Sequence, residues 1–284
     1  MPWFEYLLPY DFSPLTVAAY LGALIVYGLA LPRLPEAERP DPWRITAFLV
    51  GLLACYVVMQ TRFDYYAQYT FFIHRGQHLA LHHVGPFLIA LSNPLPVLRY
   101  WRHRLPAGQS RLAVPLAWIY RALQQPAVAT VLFVGLIYFW LWPAVHFDAM
   151  LNRQLYWTMN WSMLLDGLLF WWLMLDPRPP ARGRTLGHGT RILMMALVAL
   201  PQLVLGAVIV FAHESLYDIY DVCGRAWPIA PRTDQLLGGL LTWIPPAMMS
   251  IIGILLMLQR IMNDGRPQQK QADLAHSSNG GMAS

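Results

Sequence analysis

The sequence predicts an all-α membrane protein: a seven-transmembrane-helix bundle with its N-terminus outside and its C-terminus in the cytoplasm. Three observations lead there. The 284 residues are 57% apolar and only 12% charged, with a mean hydropathy of +0.39, whereas a soluble domain is about 25% charged. Seven apolar runs each approach the roughly 20 residues that a membrane-crossing helix needs. Arginines gather in alternate loops, as the positive-inside rule requires. A disordered chain, a disulfide scaffold and an ordinary soluble enzyme are excluded by the same numbers. The net charge of +5 comes from nineteen arginines and Lys270. In a membrane chain its distribution reports topology, and no nucleic acid is expected. The two cysteines, Cys55 and Cys223, are too far apart for a thiol-pair redox motif.

In chain order, the start Met1-Pro2-Trp3-Phe4-Glu5 lacks the basic region of a secretory signal and is expected to be mature. Apolar runs then predict helices at 14–31, 45–61, 70–98, 126–145, 155–175, 192–212 and 235–258. The shorter 112–123, with Trp118, Tyr120 and Arg121, reads as an interfacial helix. Residues 1–262 form the membrane domain, and the Gly/Ser-rich stretch 263–284 is expected to be a disordered polar tail. The loop after the third run holds Arg99, Arg102, Arg104 and Arg111 without an acid. The loop after the fifth holds Arg178, Arg182, Arg184 and Arg191 against Asp176, and the C-terminal segment holds Arg260, Arg266 and Lys270 against Asp264. The opposite loop, 213–234, carries Glu214, Asp218, Asp221 and Asp234 against Arg225 and Arg232. Three basic loops on one side fix the orientation, and lipid is the first partner it implies.

This topology collects most candidate ligands toward the outer side. At 100° per residue, His74, His78 and His82 fall on one face of the third helix, stepping inward by roughly 6 Å each, while His83 points elsewhere. An i, i+4 histidine pair brings two rings to a common point, which suits one metal ion. Thioether sulfur from a neighbouring helix suits copper(I), and Met159 and Met163 on the fifth helix are the first candidates, with Cys55 and Met59 on the second helix next. Asp166 sits in mid-helix and must face protein, because a charge against lipid costs at least about 2.5 kcal/mol. Pro201 and the pair Pro245-Pro246 are expected to kink their helices.

Three ordered motifs carry a family resemblance. His74-Arg75-Gly76-Gln77-His78-Leu79-Ala80-Leu81, with Val84-Gly85-Pro86 and Asn93-Pro94, resembles the HxxQHxxL signature of the CtaG-type cytochrome c oxidase assembly proteins. Asp166-Gly167-Leu168-Leu169-Phe170-Trp171-Trp172 and Asp234-Gln235-Leu236-Leu237-Gly238-Gly239-Leu240 with Trp243-Ile244-Pro245 are similar to two further motifs of that family. The resemblance covers about residues 45–260. It departs where the family has a WHxP element: the chain reads Leu141-Trp142-Pro143, and His146, four residues after Trp142, is a candidate substitute. It departs again at the family's HxxEH element, where Tyr156-Trp157-Thr158-Met159-Asn160 has neither histidine nor glutamate, so a site shared with the fifth helix is Met-rich, moved or lost.

The resemblance implies a non-enzymatic assembly factor in a bacterial inner membrane. It would bind copper(I) near the periplasmic side and deliver it to subunits of a haem–copper oxidase, drawing on a soluble periplasmic copper chaperone. His74 and His78 are the expected core of the site, with His82 deeper and Met159 or Met163 completing it. Gln77, Asp234 and Gln235 are expected in the outer shell, orienting rings through the nitrogens not on the metal. Two other readings stand beside it. One is a metal-free accessory or scaffold subunit. The other is a haem-binding subunit, which needs an axial ligand from a second helix, because His74 and His78 share a face of one helix. No nucleophile triad, phosphate loop or paired carboxylates suggests an enzyme.

Overall fold

The computed structural model describes residues 8–104, 110–178 and 186–280, with side chains left out at 110–114, 116 and 265–280. No strand occurs among the described residues. The helices are α1 (Pro14–Ala30), α2 (Pro42–Gln60), α3 (Arg62–Tyr69), α4 (Phe71–Leu79), α5 (Gly85–Leu91), α6 (Leu95–Arg102), α7 (Ser110–Leu123), α8 (Pro126–Leu141), α9 (Pro143–Leu151), α10 (Arg153–Leu175), α11 (His188–Phe211), α12 (Ile219–Val222) and α13 (Pro231–Gly280). Four are long and apolar enough to cross a membrane: α1, α2, α11 and the 231–264 part of α13. The α7–α8 pair makes a fifth if taken as one bent span, with 76° between Ala117–Leu123 and Pro126–Leu141. Chain beyond Asp264, where the polar tail was expected, and Arg111, Arg182, Arg184, Arg266 and Lys270 lie outside the described side chains.

The predicted third run, 70–98, is not one regular helix. Pro86 has no N–H to give to the His82 carbonyl, and the Gly85 N–H bonds back to Ala80, five residues earlier. The result is a π-helical turn over Ala80–Val84 that joins α4 to α5. A second break follows at Asn93, which adopts a φ of 53° before Pro94. Short polar side chains tolerate that left-handed conformation.

Packing puts α4, the π turn and α5 at the centre, between α2, α10 and α13, with α11 along α13. Gly167 lets α10 come close, since a Cβ there would sit 2.5 Å from the His82 carbonyl oxygen. One apolar cluster, including Phe87, Phe133, Phe170, Trp171, Met174, Met195 and Met257, fills the end away from α3, α9 and α12. Another, with Phe71, Trp140, Tyr156, Met159, Met163, Tyr217 and Tyr220, fills the end near them. Outward residues such as Ile25, Val131, Leu200, Phe211 and Leu255 are large, apolar and exposed. That is the surface a bilayer solvates and water does not.

The arginines used for orientation also have structural partners. Arg191 donates to the Asp176 carbonyl at 2.6 Å, and Arg260 donates to the Asp176 and Leu175 carbonyls at 3.0 and 3.1 Å. Together they satisfy the C-terminus of α10, where cations are favoured. Arg178 meets the Asp176 carboxylate at 2.6 Å. Burial alone would raise the Asp176 carboxyl, but hydrogen bonds and charge from Arg178 outweigh it and hold it below the ordinary carboxylate value.

Candidate functional site

His74 and His78 lie one turn apart on α4 and are essentially fully buried. Their Nε2 atoms are 3.1 Å apart. An ion held by both at the usual imidazole distance, roughly 2.0–2.1 Å, and a tetrahedral angle needs about 3.3–3.4 Å. The two rings thus converge on a common point, and Met159 and Met163 are both almost inaccessible. Met163 borders the same small cavity as Arg75, His78, His82, His83, Gln202 and Thr242. That cavity offers about 10 Å³ to the centre of a water-sized sphere, room for one water. A haem beside these rings would require the helices to part.

The hydrogen bonds fix more than the distances. Arg75 places NH1 3.0 Å from His78 Nδ1 and donates Nε to the Thr242 hydroxyl at 2.9 Å. A guanidinium only donates, so His78 Nδ1 accepts. In a neutral ring the proton is then on Nε2, and it points at His74 Nε2. His78 therefore donates with the nitrogen that a metal would need as an acceptor. His74 keeps its Nε2 lone pair.

A third ring joins this pair. His146, on α9 and fully buried, has its ring centre 5.1 Å from that of His74. Its Nδ1 lies 3.0 Å from the Trp140 carbonyl and its Nε2 lies 3.0 Å from the Tyr220 hydroxyl. The carbonyl can only accept, so the Nδ1 carries the proton and Nε2 offers a lone pair.

The other predicted residues sit apart. His82 Nε2 is 2.9 Å from Asp166 Oδ2, which turns the Asp166 carboxylate into the protein as its mid-helix position required. His83 Nε2 is 3.0 Å from Gln202 Oε1 on α11. His82 and His83 thus direct Nε2 to α10 and α11, while both rings border the cavity that His78 also lines. Gln77 donates to the Val58 carbonyl at 2.7 Å and to Asp64 at 2.8 Å. The Tyr156 hydroxyl is 2.7 Å from Asp64 and 3.0 Å from Gln77 Oε1. Burial pushes the Asp64 carboxyl up to about 6, against hydrogen bonds from Tyr156, Gln77 and Gln68 that pull it down. Asp234 accepts from the Phe71 and Phe72 amides at 3.1 and 2.8 Å and from Arg225 at 3.1 Å. Gln235 accepts from the Leu216 amide at 2.7 Å. Among the described residues, Gln77, Asp234 and Gln235 make no hydrogen bond to an imidazole; Arg75 and the Trp140 carbonyl hold the rings. Cys55 packs against Gly85, and Met59 accepts from the Tyr20 hydroxyl at 3.3 Å, both in a separate cluster.

Arg75 was passed over in the sequence, and His146 entered only as a candidate substitute for the missing WHxP histidine. Arg75 had a signal: an arginine inside an apolar run is costly unless something polar receives it. His146 was read as part of a loop. Among the described residues, no group of three or more His, Cys, Asp or Glu side chains forms a metal cage.

A polytopic helical protein with a buried file of imidazoles is the class this arrangement defines. The family is equally plain: the model of the cytochrome c oxidase caa3 assembly factors (Caa3_CtaG) matches residues 25–264, and the chain belongs to that family. No curated protein and no solved structure matches it.

Proposed function

We propose that this protein holds copper(I) near the periplasmic face of a bacterial inner membrane and passes it to a subunit of a haem–copper oxidase. Family membership supports the oxidase. The copper part rests on one observation: two fully buried imidazoles whose Nε2 atoms converge to 3.1 Å, in a core that also holds Met159 and Met163. Neutral nitrogen and thioether donors suit copper(I), and a soluble periplasmic chaperone is the natural source of the ion. His74 is the central donor; His78, His82, Met159 and Met163 are the reserve from which its partners come. A seven-span bundle with the N-terminus outside follows if α4–α5 and α10 cross the membrane with α1, α2, α8, α11 and α13. The π turn breaks α4–α5 into two short helices, and α10 is less apolar because it carries residues such as Asn160 and Asp166.

Copper(I) measured per purified chain under reducing conditions tests this reading. About one ion in wild type, loss in His74→Ala and retention in His83→Ala are expected. A metal-free scaffold is the second reading, favoured by the guanidinium that occupies His78 Nδ1. It predicts full association with the oxidase and no copper in wild type.

A further inference from the structure

We infer that His146 is the second imidazole of the copper site and pairs with His74, while His78 acts as a hydrogen-bond donor that covers the His74 lone pair. The inference rests on the copper reading above and changes its ligand set.

The argument is about which nitrogen is free. Metal-bound histidines generally give the N–H of the other ring nitrogen to a carbonyl or carboxylate, which fixes the tautomer and directs the lone pair. His146 has this arrangement: Nδ1 faces the Trp140 carbonyl at 3.0 Å and Nε2 is left as acceptor. His78 has the reverse, with a guanidinium on Nδ1 at 3.0 Å. Binding a cation through His78 Nε2 would require breaking that contact and moving a proton in a buried site beside Arg75. His74 and His146 need neither change.

Each of the two free lone pairs is covered by one neutral donor. His78 Nε2–H covers His74, and the Tyr220 hydroxyl covers His146 at 3.0 Å. A single neutral hydrogen bond contributes little net stability, so both covers can be displaced by an ion and can return when it leaves. Such covers suit a carrier, which has to release its cargo. Met159 and Met163 are the thioethers at hand, since both share a cluster with Phe71, Tyr217 and Tyr220, the rings that surround His146.

The test uses the full chain in detergent, loaded with copper(I) under reducing conditions. X-ray absorption should count two imidazole nitrogens on copper in wild type and still two in His78→Phe. His146→Phe, which keeps a ring in the packed space, should bind copper(I) at least 100-fold more weakly in competition with a chromogenic chelator, while His78→Phe changes affinity less than 10-fold. Loss of one imidazole in His78→Phe, or wild-type affinity in a folded His146→Phe, overturns the assignment and leaves the copper reading standing. Wild type that takes up no copper(I) overturns both. If His146→Phe does not fold, the imidazole count in His78→Phe decides alone.

Discussion

Asp166 has one polar partner in the hydrogen-bond network, His82 at 2.9 Å, and only 12% of its side chain is accessible. Among the described residues His82 Nδ1 has no hydrogen-bond partner, so the carboxylate is the one anchor of the ring there. Removing it leaves a buried imidazole with no hydrogen bond, which costs roughly 1–3 kcal/mol. Asp166→Ala should therefore insert normally and unfold earlier in detergent. His82→Phe should lower stability by a similar amount, and the double variant should lose less than the sum, because both singles remove the same interaction. Additive losses would show that the pair is not coupled. Asp176 supports a second prediction with a definite sign. Its carboxyl is held below the ordinary value of 3.8 by Arg178, so the ion pair stabilises the fold above that pH. The contribution is lost as pH falls through the lowered folded value. The stability gap between wild type and Asp176→Asn, read by thermal unfolding, should be full at neutral pH and begin to shrink only as pH falls below the ordinary value of 3.8; a gap that does not narrow on further acidification contradicts the assignment.

Helix-scale features explain what sequence reasoning reached and what it missed. Apolar runs gave α1, α2, α8, α10, α11 and the first half of α13 closely, because hydropathy and helix length are local properties. The histidine stripe was drawn at a constant 100° per residue, and this holds only through α4. Pro86 was visible in the sequence, but its effect depends on where the His82 carbonyl goes, which is a tertiary matter. Beyond α4, the π turn carries His82 and His83, whose Nε2 atoms meet Asp166 on α10 and Gln202 on α11. His146 was equally hidden, since nothing local says that α9 folds inward to bring it within 5.1 Å of His74. The motif Asp166-Gly167 gains a physical meaning here: the carboxylate holds the His82 ring and the glycine admits its backbone. Gly167→Ala places a Cβ 2.5 Å from the His82 carbonyl, so α10 must move away. A loss of about 1–3 kcal/mol, the usual range for overpacking, should appear in thermal unfolding; an unchanged midpoint would mean that the two helices are not in this contact. Asp234 works similarly at the start of α4, where it accepts both the Phe71 and Phe72 amides. Asp234→Ala should cost about 0.5–2 kcal/mol, the range for losing a helix cap, and release Arg225 as well.

At the scale of the whole molecule, the charge asymmetry and the site geometry must agree on direction. The His74–His146 cluster lies at the end of the bundle formed by α3, α9 and α12, and Cys223 follows α12 directly. Arg99, Arg102 and His103 lie at the other end, on α6 and its C-terminus. A periplasmic delivery site therefore requires Cys223 outside and His103 inside, as the loop charges independently require. The chain supplies its own control, because Cys223 is exposed and Cys55 is buried. In intact cells a membrane-impermeant maleimide should label wild type and fail to label Cys223→Ser. In the Cys223→Ser background, His103→Cys should stay silent until the membrane is permeabilised and then react. The opposite pattern would put the imidazole cluster at the cytoplasmic end. Copper would then have to enter from the reducing interior, and the proposed hand-over on the periplasmic side would fail even if the ion-binding residues were assigned correctly.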